Sequence, residues 1–168
     1  VKPYGETVML AYGGGSIKKN GVYEEVIAAL EKAGKTIIEF PGIMENPTYK
    51  KVLEGTKLVK EKQVDWILAV GGGSVMDCSK AISMAAVSEK DVWDEYWAKK
   101  GVVDFEPMPL GVIVTASGTG SECNGGAVIT NEEVMIKTDR DYPKCNPEFA
   151  LMDPTYTYTV PTKQMVAG

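Results

Sequence analysis

The sequence predicts an α/β protein: a parallel sheet flanked by helices, with a β-hairpin as an appendage. Three observations predict it. Short apolar runs alternate with amphipathic helical segments, in the order β-α-β-α-β-α, before position 90 of the 168 residues. The runs are apolar almost throughout rather than at every second position, as strands covered on both faces are. The first and third runs each end in Gly-Gly-Gly-Ser, at 13–16 and 71–74, where a helix is expected to begin.

Residues 7–12 are a buried strand by length and by the glycines after them. Beyond them Val22, Val26, Ile27, Leu30 and Ala33 recur at helical spacing, with Glu24, Glu25, Glu31 and Lys32 between. Asn20 is the expected N-cap of this helix and Gly34 its stop. Residues 36–40 form a second strand, broken by Pro41-Gly42, and Asn46-Pro47 marks a turn. A second helix runs from about Thr48 to Lys62, with Val52, Leu58 and Val59 on one side. Residues 65–70 are the third strand, and a helix continues through Ala81, Ile82, Ala85 and Ala86. Residues 91–97 form a helical turn whose Trp93, Tyr96 and Trp97 are expected in packing.

Residues 110–115 are a fourth buried strand, leading into a loop of small residues at 116–121. Residues 127–130 and 134–137, separated by Asn131-Glu132-Glu133, read as the hairpin. A last short strand at 149–152 stops at Asp153-Pro154. Pro161 suits the first turn of a helix that has barely begun at Gly168. The absence of a leading Met suggests that the native start has been removed. The length fits a single domain over 1–168.

Composition excludes several functions. Eighteen basic against 23 acidic residues give a net charge of −5, which disfavours nucleic acid and anionic membrane surfaces as partners. No apolar run approaches the ~20 residues of a membrane span, and no signal peptide leads the chain. There is no histidine, so a Ser-His-Asp triad, a Cys-His pair and an imidazole metal site are all excluded within these residues. Cys78, Cys123 and Cys145 form no C-x-x-C pair, so a thiolate zinc site is unsupported. The sparse, odd count suggests a reducing, cytoplasmic setting, with each cysteine a small buried apolar residue.

The chemistry lies in the glycine loops. Small residues let a backbone approach a phosphate, and a helix N-terminus supplies unpaired N–H donors with partial positive charge. Gly13, Gly14, Gly15 and Ser16, and Gly72, Gly73 and Ser74, offer this twice, at strand ends where open α/β sheets bind ligands. The alternative is that the glycines only make tight turns. The third glycine of the common dinucleotide fingerprint is Met76 here, so that signature is not met. Asp77, one turn into its helix, suits either a coenzyme amide or the helix N-terminal charge. Lys18 and Lys19 suit an extra phosphate or solvent. Thr115, Thr119, Ser121 and Asn124 supply hydroxyls and an amide around the third loop. Glu122 has no second carboxylate or histidine to work with, and a structural role is expected.

Residues 71–81, GGGSVMDCSKA, resemble the GGGSxxDxxKA segment of the iron-containing alcohol dehydrogenases. Residues 115–122 match a second segment of that family, and Asp153-Pro154 with Pro161 a third. Residues 12–19, Asn46-Pro47 and Trp93-Asp94 resemble its butanol dehydrogenase and NADPH-dependent aldehyde reductase branch.

The resemblance implies a dehydroquinate synthase-like, Rossmann-type nucleotide-binding domain. It places the pyrophosphate on Gly72, Gly73 and Ser74, and Asp77 near the nicotinamide. It lines the pocket with Thr115, Ala116, Thr119 and Asn124, with Asn46 at its turn, Lys137 on the hairpin and Tyr156 nearby. Relatives that prefer NAD carry an acid where Gly14 stands. With Ser16 and Lys18 adjacent, NADP is the expected coenzyme and NAD a possible one.

The family's metal ligands, one aspartate and three histidines, are not in this sequence. Fe or Zn is therefore expected in the parent enzyme but not on this chain, which reads as an inactive coenzyme half, with a homodimer as a possible assembly. The parent would act on a small primary alcohol or aldehyde. A glycerol dehydrogenase or dehydroquinate synthase relative, or a non-catalytic α/β interaction domain, are the rival readings.

Overall fold

The structure, a computed structural model, describes residues 2–167. Five parallel strands form its sheet: β1 (Thr7–Tyr12), β2 (Thr36–Phe40), β3 (Trp66–Gly71), β4 (Leu110–Val114) and β7 (Phe149–Leu151). Their order across the sheet is β2-β1-β3-β4-β7. A separate antiparallel pair, β5 (Gly126–Asn131) and β6 (Ile136–Asp141), is the hairpin. The helices are α1 (Ser16–Lys19), α2 (Val22–Lys32), α3 (Tyr49–Lys62), α4 (Gly73–Val87) and α5 (Thr162–Ala167).

Alternate residues of the central strands enter two different cores. Met9, Ala11, Ile67 and Ala69 face α3 and α4, whereas Val8, Leu10, Trp66 and Leu68 face α2. Burial on both sides explains why these strands are apolar at nearly every position. Helix α4 is buried almost all round, because α3, β3 and the hairpin surround it. Trp97 Nε1 donates to the Ala127 carbonyl at 3.3 Å and Tyr142 OH to the Tyr96 carbonyl at 2.8 Å, which fastens the hairpin to the wide, π-type turn Trp93–Ala98. Trp93, Tyr96 and Trp97 are buried there, as packing residues.

Several local expectations need correction. The N-cap of α2 is Gly21, not Asn20, because one-turn α1 precedes it and Asn20 lies in the link; Asn20 Oδ1 still accepts from Val22 N–H at 3.3 Å. At the other end of α2, Gly34 takes φ +71°. Lys35 N–H reaches the Leu30 carbonyl at 3.0 Å and Gly34 N–H that of Glu31 at 2.9 Å, closing a Schellman motif. Helix α3 begins at Tyr49, with Thr48 as N-cap. Leu58 is half-buried and packs against the core at the edge of that face, beside the buried Val52, Gly55, Thr56 and Val59. The second hairpin strand is residues 136–141 rather than 134–137: Val134 and Met135 are exposed in the connecting turn. That strand, IKTDRD, faces water and carries little apolar signal. Cys123 is exposed, whereas burial pushes the Cys78 and Cys145 thiols up to about 12.

Candidate functional site

The strand order reverses between β1 and β3: β2 lies on one side of that pair, and β4 and β7 on the other. Open α/β sheets bind ligands at the carboxyl ends of their strands, at such a reversal. Residues 13–16 come directly after β1, residues 71–74 overlap the end of β3, and residues 115–119 come directly after β4. A cleft of about 450 Å³ is bounded by Gly13, Gly14 and Ser16 from the first loop, Gly71 to Ser74 from the second, and Thr115 to Ser117 from the third. A second cavity of about 320 Å³ shares Gly73, Ser74, Ala116 and Ser117, and extends to Asn46, Asp77, Thr119 and Lys137. The two make one groove across the strand ends.

The glycines of the second loop keep that groove open. A Cβ on Gly72 would lie 3.3 Å from Ala116 Cβ, and one on Gly73 3.3 Å from Thr119 Oγ1. Helix α4 starts here with Gly72 as N-cap and no side-chain cap. Its first-turn amides therefore border the groove without a side-chain partner, as an anion requires. The first loop is different. Gly15 takes φ +101°, a glycine conformation, and caps only the four-residue α1. A Cβ on Gly14 would meet nothing within 4 Å.

Side chains line the end of the groove at Asp77 and Lys137. Asp77 Oδ1 accepts from Ser121 Oγ at 2.7 Å, and Oδ2 from Val128 N–H at 3.0 Å. Burial pushes this carboxyl up, and those two donors and Lys80 pull it back. Lys137 Nζ donates to Asn46 Oδ1, and Thr130 N–H donates to the Pro47 carbonyl at 3.0 Å, so the hairpin is tied to the Asn46-Pro47 turn.

Three expected site residues lie elsewhere. Tyr156 packs on the α2 face against Val26, Leu30 and Phe149, at a separate apolar cavity. Its hydroxyl donates to Glu25 at 2.7 Å, which pushes the phenol up to about 12. Asn124 is turned inward: Oδ1 accepts from Lys80 and Gly126 N–H, and Nδ2 donates to the Gly120 carbonyl. Lys18 Nζ sits 4.3 Å over the Tyr23 ring and 3.6 Å from Glu39 Oε2, away from the cleft lining. Tyr12 and Tyr23 donate to the same Glu39 and hold its carboxyl below the usual range. Sequence reasoning missed Ile43, Met44, Glu45, Thr159 and Val160 on the rim; Glu45 alone of these is charged, and no motif marks it. It also passed over Ser117, although its place in the small-residue loop marks it.

The description "iron-containing alcohol dehydrogenase" attaches to the family model that matches residues 1–154. The chain belongs to this family. It is 45% identical over 168 residues to a probable NADH-dependent butanol dehydrogenase of Bacillus subtilis, covering all of this chain and 43% of that protein. It is 40% identical over 167 residues to an NADPH-dependent aldehyde reductase of Escherichia coli, covering 99% of this chain and 43% of that one. Among solved structures, the NADH-dependent butanol dehydrogenase A of Thermotoga maritima superposes with a TM-score of 0.91 at 40% identity, over 97% of this chain and 40% of its own. The chain thus spans under half the length of the relatives it matches. No helix among the described residues is long and apolar enough to cross a membrane.

Proposed function

We propose that residues 1–168 form a single coenzyme-binding domain that holds a nicotinamide dinucleotide across the β1–β3 reversal. The observation that carries this reading is the convergence of three strand-end loops on one groove that begins at the uncapped N-terminus of α4. Gly72, Gly73 and Ser74 take the pyrophosphate. Gly14 and Ser16 border the adenosine ribose, and Asp77, Thr119 and Lys137 the nicotinamide end. When bound, the reduced nicotinamide supplies a hydride.

The coenzyme preferred is NADPH. Gly14 has open space where an acid would fit, so nothing steric accounts for the missing carboxylate. A 2′-phosphate meets no negative charge at that position. Relatives named for NADH (45% and 42% identical) resemble the chain at least as well as one named for NADPH (40%), so the preference rests on the open position at Gly14 and not on the names.

In the whole protein the reaction is hydride transfer between the coenzyme and a small primary alcohol or aldehyde, as the relatives' names suggest. Iron or zinc does not fit these residues: the sequence has no histidine, and no three metal-ligating side chains come together among the described residues. These residues alone therefore form a binding module without turnover. Titration of the folded chain with NADPH and NADH tests the reading. NADPH should bind more tightly. Tighter NADH binding overturns the preference, and no binding of either overturns the function.

A further inference from the structure

Lys80 is fully buried, with no exposed surface. It stands one turn after Asp77 on α4, on the same side of the helix. Its ammonium donates to Ser121 Oγ at 2.8 Å, the Gly126 carbonyl at 2.8 Å and Asn124 Oδ1 at 3.2 Å. An ammonium has three protons and no lone pair, so these contacts use all its donors. Ser121 Oγ accepts from Lys80, and its single proton goes to Asp77 Oδ1 at 2.7 Å. Val128 N–H supplies the other carboxylate oxygen at 3.0 Å. Asp77 therefore meets donors from inside the protein and leaves its remaining lone pairs for the second cavity, which it lines.

Burial alone works against both charges, pushing the Asp77 carboxyl up and the Lys80 ammonium down. Each charge opposes the other's shift, and the hydroxyl between them transmits the orientation. A carboxylate so held accepts an N–H well and repels another carboxylate.

We propose that Lys80 is a positioning residue: through Ser121 it holds Asp77 as a hydrogen-bond acceptor, so that this end of the groove takes the carboxamide of a pyridine dinucleotide and rejects the nicotinic acid form. The inference rests on the coenzyme reading above. A carboxamide brings N–H donors to Asp77, whereas a nicotinate carboxylate brings only acceptors and a like charge.

The test measures dissociation constants of the chain for three probes: NADP⁺, its nicotinic acid analogue, and 2′-phospho-ADP-ribose, which has no pyridine ring. The variants are Lys80→Met and Ser121→Ala, each checked for folding by thermal melting. The second removes a single hydroxyl and keeps the test available should Lys80→Met fail to fold. The wild type should favour NADP⁺ over the acid analogue by about tenfold or more, the worth of one hydrogen bond to a charged group. Both variants should lose most of that preference while binding 2′-phospho-ADP-ribose as before; a merely structural role would weaken all three probes together. A wild type that binds 2′-phospho-ADP-ribose without discriminating, or a folded Ser121→Ala with full discrimination, overturns the role of Lys80 and leaves the coenzyme reading standing. A wild type that binds none of the three overturns that reading itself.

Discussion

Residues 13–16 and 71–74 carry the same four letters after a buried strand, yet the chain leaves them in different ways. The first copy turns through Gly15 at φ +101° into a single helical turn, then turns again at Gly21 before α2 begins. The second runs straight into fifteen residues of helix buried among α3, β3 and the hairpin. A helix N-terminus draws its partial charge from aligned peptide dipoles and its unpaired amides. One turn supplies little of either, so the proposed phosphate-binding role falls to the second copy. The first copy contributes open space at the rim. Identical short motifs are therefore not equivalent sites; the length and burial of the adjoining helix separate them.

The core beneath the two loops gives the largest expected contrast. Ile82→Ala on α4 should cost about 2–5 kcal/mol, since the side chain has no exposure and its surroundings are packed on every side. Ile17→Ala on α1 should cost less, because a single turn at the edge of the fold can relax around the loss. Urea melts of the two variants measure the difference; equal losses would break the contrast.

Ligand binding should separate the loops next. Gly73→Val pushes into Thr119 and closes the approach to the α4 amides, so NADPH affinity should fall by about 100-fold, equivalent to two weak charged hydrogen bonds. Gly14→Ala, whose Cβ meets nothing, should stay close to wild type when titrated by coenzyme fluorescence. Equal losses at both positions would mean that both loops hold the phosphates.

A smaller effect tests what the first loop does. Gly14→Asp should weaken NADPH by about tenfold, the scale of one like-charge contact at a surface, while sparing NADH. An unchanged ratio of the two dissociation constants would remove the 2′-phosphate from this rim.

The smallest effect concerns the anchor of α1. The hydroxyls of Tyr12 and Tyr23 hold the Glu39 carboxyl below its usual range. A depressed acid stabilises the fold above its unfolded pKa, and that contribution disappears as pH falls through the folded value. The melting temperature of the wild type should therefore exceed that of Glu39→Gln at pH 7, and the gap should close below about pH 4. A gap that persists into acid would show that the carboxylate charge is not what binds Tyr12, Tyr23 and Lys18 together.

Much of the molecule is readable from local signals. Strand and helix order come from apolar spacing, and Gly34 and Thr48 terminate helices by chemistry that acts within a turn. The hairpin's second strand is harder to place from sequence because residues 136–141 face water and show no apolar alternation, while Val134 and Met135 are apolar but lie in the turn. Resemblance draws Tyr156 and Asn124 to the groove, but Glu25 in one case and Lys80 in the other claim their polar atoms.

By itself, then, the amino-acid order determined the α/β alternation, the glycine bends at strand ends and the exclusion of histidine chemistry, since each depends on composition or on neighbours a few positions apart. Only the tertiary structure decided that β1 and β3 lie side by side at the reversal of the sheet, that the helix after the first glycine bend stops after one turn, and that Lys80 sits beneath Asp77 with Ser121 between. These arrangements arise from contacts between segments tens of residues apart, and packing chooses among placements that local propensity leaves equal.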